Sequence, residues 1–146
     1  MSEQLKYGHT RGGSVSVPCP VAAETYYANS GRFVYNNAGV LTLAGDGQGE
    51  IFGFCDCAAG LKVAGSYENV IVDPSAVFRI PIDAGTFVVG MIGDTCDIGV
   101  TGTVQGADLE ASTDDVLIIV GGDLVDNNWV DVMINQNERG QVGAEA

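Results

Sequence analysis

The chain has 146 residues with 21 glycines, and its 19 acidic residues against six basic ones give a formal net charge of −13. This length suits one domain that buries its own core. The acidic balance disfavours nucleic-acid binding, because phosphate neutralisation needs clustered Lys and Arg, and it favours docking on a basic surface. Many glycines with only 17% charged residues indicate tight turns and predict an all-β fold.

The sequence has no stretch of the roughly 20 apolar residues that a membrane-spanning helix needs. Residues 1–13 also lack the apolar core of a signal peptide. We therefore expect no membrane partner and no export by the ordinary route, and we interpret the chain as made in a cytoplasm. Its four cysteines are then expected to be reduced thiols.

Residues 1–13 hold few apolar side chains, and they are predicted to form a flexible arm that becomes ordered only on a partner. The domain proper is predicted over residues 14–138, either as one barrel-type unit or as a meander at 14–73 followed by a barrel at 77–138. Residues 139–146 are predicted to be a polar tail.

The first half of the domain predicts a meander of short strands. An edge strand at 14–17 is expected to stop at Pro18, because proline cannot donate to a strand ladder. Asn36 and Gly39 bound a hairpin turn that needs positive φ, which Asn and Gly supply. Further strands are predicted at 31–35, 40–44, 50–57 and 66–72.

The second half predicts about five strands in a small closed or nearly closed barrel. Pro81 places the first of these strands near a sheet edge, and the glycines of the third indicate strong curvature. The strands are predicted at 77–82, 86–92, 96–105, 116–120 and 129–134.

The last two of these strands give the clearest pattern in the chain. The run from Val116 to Val120 is apolar on both faces, so both faces must be covered, by a barrel interior or by a neighbouring subunit. In the following strand, side chains alternate. One face is expected to be core and holds Val130, Val132 and Ile134; the other is partly solvated and holds Trp129, Asp131 and Met133.

No catalytic, metal-binding or cofactor-binding set is predicted, and we expect a protein that is not an enzyme. Cys55 and Cys57 are separated by one residue, whereas zinc sites and redox motifs generally use two. On a strand their thiols would lie about 7 Å apart. They are interpreted as small buried hydrophobes in preference to a disulfide or a zinc site. His9 is the only histidine, which excludes sites that need two.

The arm, the glycine-punctuated strands and the ending VLIIVGGDLVDNNWVDVMIN resemble bacteriophage head decoration, or cement, proteins. The resemblance implies a β-barrel or β-tulip-like fold that binds the outer capsid surface of the virion and bridges major capsid subunits, as a trimer in preference to a dimer. It implies capsid contacts from the arm at Lys6, Tyr7, His9 and Arg11. It implies contacts between copies at Val116, Ile118, Val120 and Trp129.

Two other functions stay open from the sequence. A carbohydrate-binding or adhesion module would use exposed aromatic side chains, either Trp129 or the cluster around Tyr26 and Tyr27, as a stacking surface. A small metal-dependent enzyme is a third hypothesis, with no motif in its favour.

Overall fold

A computed structural model describes residues 7–138, so Lys6 and the predicted tail lie outside the described residues. The predicted all-β class is confirmed. Over residues 7–138 the helices are single 3₁₀ turns, and none could cross a membrane. The strands are β1 (Gly8–Arg11), β2 (Ser16–Pro20), β3 (Thr25–Tyr26), β4 (Phe33–Asn37), β5 (Val40–Leu43), β6 (Gly53–Cys55), β7 (Gly60–Leu61), β8 (Tyr67–Ile71), β9 (Val77–Ala84), β10 (Thr95–Thr101), β11 (Val104–Asp108), β12 (Leu117–Gly122) and β13 (Trp129–Ile134).

Five strands of the C-terminal half pair in a cycle, which we call the ring. From β9 the pairings run through β11, β10, β12 and β13 and return to β9. One face of these strands is largely apolar and buried. It includes Val130, Val132 and Ile134, as the predicted alternation of β13 requires. The buried side chains include Phe78, Ile80, Ile98, Leu117, Ile119, Val130 and Val132.

β9 lies at the centre of this arrangement, so its predicted place near an edge is wrong. It pairs with β13 on one edge, and on the other edge with β1 up to Arg79 and with β11 from Ile82 onward. Pro81 falls between these two partners. No backbone N–H is needed there, which explains why a proline is tolerated in a central strand.

Two further strand predictions of the second half are wrong. The segment 96–105 is a hairpin, because the chain reverses at Gly102, which has φ 62, and Thr101 pairs with Val104. The segment 86–92 is not a strand. It contains a 3₁₀ turn at Val89–Met91, and only Phe87 of its apolar residues is fully buried.

The N-terminal half forms a second sheet in the order β2-β8-β6-β4-β5. One face carries Phe33 and Phe54, which pack against Phe78 of the ring with ring centroids 4.4 to 5.4 Å apart. The opposite face builds a second core, which contains Val21, Tyr26, Val34, Leu41, Cys55 and Val70. The second sheet is therefore a middle layer with apolar side chains on both faces.

Edge strand β2 runs through both of its prolines instead of stopping at Pro18. Within residues 7–138, β2 pairs with β8 alone, and the carbonyl of Val15, which precedes β2, accepts a hydrogen bond from the Val72 N–H. Residues alternate in direction along a strand, so Pro18 and Pro20 face away from the side of β8, on which Val15 bonds to Val72. Their nitrogens therefore lie at the open edge, where no donor is required.

The predicted hairpin between β4 and β5 is confirmed, with a different residue in the left-handed conformation. Ala38 and Gly39 have φ 55 and 93, as a two-residue hairpin turn requires. Asn36 does not supply positive φ. Its side-chain oxygen accepts a hydrogen bond from the Gly39 N–H at 2.7 Å and closes the turn.

Candidate functional site

The predicted arm is part of the sheet from Gly8 to Arg11, where β1 lies along β9. Arg11 Nη1 lies 3.1 Å from Asp131 Oδ2, so this guanidinium is engaged within the chain. The His9 ring lies edge-on to Phe78 at 6.0 Å, and its Nε2 is 2.9 Å from the Gly13 carbonyl oxygen. The prediction of a flexible arm is therefore wrong for Gly8–Arg11, because tertiary contacts hold these residues in place.

Asp131 is the centre of a charge cluster on the outer face of the ring. Arg79 donates to both carboxylate oxygens, from Nε at 2.8 Å and from Nη2 at 3.1 Å. The Asp131 side chain is only 4% exposed, whereas that of Arg11 is 54% exposed. The Arg79 guanidinium also stacks 3.5 Å from the centroid of Trp129. One carboxylate thus ties β1, β9 and β13 together.

We predict that Asp131→Asn lowers the free energy of unfolding by about 2 kcal/mol, less than a fully buried pair would cost, because both arginines reach solvent. Hydrogen exchange at Gly8–Arg11 should rise at the same time, since β1 loses its ion pair. Urea denaturation and exchange mass spectrometry measure the two effects. Asp126→Asn, which removes the same charge from an exposed side chain, is the control. Equal stability of the two variants would contradict the prediction.

The predicted contacts between copies divide into two groups. Val116 is completely buried in the ring core, so it has no surface to offer a partner. Ile118 and Val120 lie half-buried, and Ile118 pairs with Met133 across the ladder. Trp129 is also half-buried, and the guanidinium of Arg79 occupies one face of its ring, which counts against a sugar-stacking role for that face.

A second feature, which the sequence did not reveal, is a group of exposed aliphatic side chains at one end of the ring. We call it the apolar end surface. Its members come from the segments 88–92 and 124–125 and are between 51% and 88% exposed. They are Val88, Val89, Ile92, Leu124 and Val125. Both segments leave the ring at the same end, because β13 begins opposite the end of β9, with Trp129 paired to Pro81.

The two segments of the apolar end surface are fastened to each other. Asn127 Oδ1 accepts a hydrogen bond from the Phe87 N–H at 2.7 Å, and its Nδ2 donates to the Phe87 carbonyl at 3.4 Å. The Phe87 ring lies directly over Gly122, where a Cβ would come within 2.5 Å of it. Gly122 is therefore the residue that lets Phe87 anchor one segment to the other.

The carboxylate of Asp123 orders the loop that carries Leu124 and Val125. It accepts backbone hydrogen bonds from Val125, Asp126 and Asn128 at 3.0 to 3.1 Å. These bonds, with those of Asp126 and Asn128 as the largest causes, lower the pKa of the Asp123 carboxyl. The loop thus holds two aliphatic side chains in solvent on a backbone that is already ordered.

A cavity of about 700 Å³, which we call the cleft, lies between β1 and the loops at 28–32 and 56–59. Its polar lining includes Tyr7, His9, Arg32, Asp56 and Cys57. Burial, followed by the nearby charge of Asp123, raises the pKa of the Tyr7 hydroxyl. Over residues 7–138, no three His, Cys, Asp or Glu side chains lie together so as to hold a metal ion.

The cysteines occupy two kinds of position. Cys55 and Cys96 are buried as predicted, while Cys19 and Cys57 are half-buried.

The chain matches no protein-family model, no curated protein and no solved structure. The resemblance to decoration proteins therefore stays a prediction.

Proposed function

We propose that the protein is a non-enzymatic virion protein that docks on the outer surface of a phage capsid and stabilises the lattice by bridging major capsid subunits. The observation that carries the proposal is the apolar end surface. Five exposed aliphatic side chains stand on two segments that hydrogen bonds and the Phe87 ring fasten together. Such a surface suits a partner that covers it without rearranging it.

The energetics favour docking on a large surface. Covering one Val, Leu or Ile side chain contributes roughly 1.5 to 3 kcal/mol, and several together oppose the loss of translational and rotational freedom on binding. Multiple copies on one lattice would add avidity without a deep pocket in any single copy.

The charge distribution favours a basic partner. Asp123 and Asp126 lie in the same loop as the exposed Leu124 and Val125, and the whole chain carries a net charge of −13. This charge opposes the approach of one copy to another, so a trimer would have to be held by apolar contacts, whereas a capsid surface with Lys or Arg around an apolar patch would attract the protein. Binding should then weaken as salt is added, through a slower association rate.

The contacts of the N-terminal segment are revised in this proposal. Arg11 and His9 hold β1 on the ring. Their side chains are therefore engaged within the chain, and we no longer assign them to the capsid contact. Lys6 and Tyr7 remain the predicted capsid contacts of this segment. Self-association, as a trimer in preference to a dimer, remains a prediction for the half-buried Ile118, Val120 and Trp129.

A matched pair of variants tests the role of the apolar end surface. Val125 is 88% exposed on it, and Val63 is 75% exposed elsewhere. We predict that Val125→Asp weakens binding to capsids that lack the protein by about tenfold or more, because a charge replaces an aliphatic side chain that would become buried. Val63→Asp adds the same charge and should bind like the wild type.

Co-sedimentation with capsids over a range of protein concentrations measures these affinities. Equal losses in the two variants would show that added charge alone is responsible and would contradict a specific role for the apolar end surface. Absence of binding by the wild type would contradict the proposed function itself.

A further inference from the structure

We propose that the cleft binds an acidic sugar, with the single carboxylate of the sugar on Arg32 and its hydroxyls on the polar groups nearby. The cleft shares no residue with the apolar end surface, so this site is independent of the capsid proposal. Its volume of about 700 Å³ lies within the range of roughly 300 to 1,000 Å³ that is usual for small-molecule sites.

Arg32 differs from the neighbouring cations in having no carboxylate partner. The other Lys and Arg side chains of residues 7–138 lie 2.8 to 3.7 Å from a carboxylate; they are Arg11, Lys62 and Arg79. No carboxylate of this part of the chain lies within ion-pairing distance of Arg32, which is half-buried. In a protein with a net charge of −13, a cation that is partly removed from water without a counter-charge indicates a site for an external anion.

The backbone and the side chain of Arg32 are both held in place. Its carbonyl accepts from the Cys55 N–H at 2.9 Å. Its guanidinium donates from Nη1 to the Cys57 carbonyl, and from Nη2 to the Tyr27 carbonyl at 3.4 Å. A guanidinium carries more N–H groups than these two bonds use, so it can still donate to a carboxylate. Because the group is already fixed, a ligand need not order it on binding.

The loop next to Arg32 supplies a backbone donor. The Cys55 N–H donates to the Arg32 carbonyl, and the Asp56 N–H donates in the opposite direction to the Asn69 carbonyl, both at 2.9 Å. Directions alternate along an extended backbone, so the N–H of Cys57 points back toward the side of Arg32. It makes no hydrogen bond within residues 7–138. A carboxylate held by Arg32 can therefore accept from it as well.

The charges of the cleft favour a ligand with one negative charge over a dianion. The lining holds one arginine, Arg32, and one carboxylate, that of Asp56. A second negative charge on the ligand would meet the repulsion of Asp56 and of the acidic protein around it. A carboxylate also presents two oxygens that match the planar fork of a guanidinium. These features favour a carboxylate over a phosphate.

The other polar groups of the cleft suit hydroxyls. His9 Nε2 donates to the Gly13 carbonyl at 2.9 Å, which leaves Nδ1 of the neutral ring as an acceptor. The Asp56 carboxylate accepts no hydrogen bond within residues 7–138, and the Tyr7 hydroxyl can both donate and accept. All three side chains line the cleft. A molecule with one carboxylate and several hydroxyls, such as a uronic acid, would use all of these groups.

Titration of the isotope-labelled wild type with sodium glucuronate, followed by NMR, tests the site without a variant. The amide signals of 57–59 and the side-chain N–H of Arg32 should shift, while the amides of Leu124 and Val125 on the apolar end surface should not. Glucose has similar hydroxyls but no carboxylate, so it should bind about tenfold or more weakly. Equal affinities for the two sugars, or no shifts at the cleft, would overturn the proposal.

Two simpler anions test whether the ligand is a sugar acid. Propionate carries the carboxylate without the hydroxyls, and inorganic phosphate carries a second negative charge at neutral pH. Each should bind about tenfold or more weakly than glucuronate, because each forms fewer favourable contacts in the cleft. Equal or tighter binding of either anion would overturn the acidic sugar as the ligand class.

A matched pair of arginine variants assigns the carboxylate to Arg32. We expect Arg32→Gln to lower the affinity for glucuronate to about that for glucose. Arg11→Gln removes the same charge from a side chain that is 54% exposed and does not line the cleft, and it should bind like the wild type. Equal losses would show that net charge alone is responsible and would overturn the site. If Arg32→Gln does not fold, the comparison of glucuronate with glucose on the wild type still decides.

Discussion

Gln105→Leu is expected to lower the free energy of unfolding by about 4 kcal/mol, because three hydrogen bonds to buried backbone groups are lost at once. Of these groups, only the Phe33 carbonyl keeps another partner within residues 7–138, the Ala44 N–H at 2.9 Å. Gln105 is 4% exposed. Its Oε1 accepts from the Phe33 N–H at 2.8 Å, and its Nε2 donates to the carbonyls of Phe33 and Ala44 at 3.1 and 3.0 Å. This amide joins the ring to the second sheet, and leucine fills the space without serving any of the three groups.

Gln105→Glu is the sharper form of the same test. It keeps an acceptor for the Phe33 N–H but turns a carboxylate oxygen toward two carbonyl oxygens, so a similar loss is expected at pH 7. Burial and these acceptors favour the protonated acid, which raises the folded-state pKa of the introduced carboxyl. The loss is therefore present above that pKa and shrinks as pH falls through it, since a protonated acid can donate again.

Urea denaturation at pH 7 and at about pH 5 measures both effects. Gln136→Glu introduces the same charge at an exposed position and should change stability little at either pH. If Gln105→Leu and Gln105→Glu are both as stable as the wild type, the amide does not join the two sheets as described.

Asp97→Ala is the second change with a large expected effect, a loss of about 3 kcal/mol. Asp97 is 4% exposed. Its Oδ1 accepts from the N–H groups of Asp114 and Asp115 at 2.9 Å, and its Oδ2 accepts from the Thr113 N–H at 3.2 Å. These bonds hold the turn before β12, in which Asp115 has φ 56.

Asp97→Asn separates the contributions of the two oxygens. Its single carbonyl can take the place of Oδ1 and keep the bonds from Asp114 and Asp115, so a loss of only about 1 kcal/mol is expected. Hydrogen exchange at 113–115 should rise strongly in Asp97→Ala and weakly in Asp97→Asn. Asp94→Ala, at an exposed position, is the control for charge. Unchanged exchange at 113–115 in Asp97→Ala would contradict this role.

The sequence predicted those parts of the fold that depend on local spacing. Alternation along β13 gave the core face correctly, because successive side chains on a strand must point to opposite faces. The apolar run from Val116 to Val120 predicted cover on both faces. Val116, Leu117 and Ile119 are buried within the chain, whereas Ile118 and Val120 are half-buried.

The sequence does not predict that Gln105 joins the two sheets, because the strand predicted over 96–105 is a hairpin. A single strand over 96–105 would place Gln105 on the face opposite Ile98 and Val100. The turn at Gly102 inverts this parity, so Gln105 pairs directly with Val100 and points inward. One unrecognised two-residue turn thus concealed the side chain that joins the two sheets.

The remaining errors come from contacts between distant parts of the chain. The composition of residues 1–13 does not indicate the ion pair between Arg11 and Asp131, so it predicts an arm where the structure has β1. The apolar residues of 86–92 predicted a strand because hydrophobicity alone does not distinguish a core segment from an exposed apolar one. The candidate site lies in the segment where that assumption failed.

Electron cryomicroscopy of capsids, with and without the added protein, shows whether the protein docks through the apolar end surface. We expect extra density at lattice-fixed positions on the outer shell, with Val88, Val89, Ile92, Leu124 and Val125 turned toward the capsid and covered by it. Decorated capsids on which this surface faces solvent, or capsids that gain no density, would contradict this expectation.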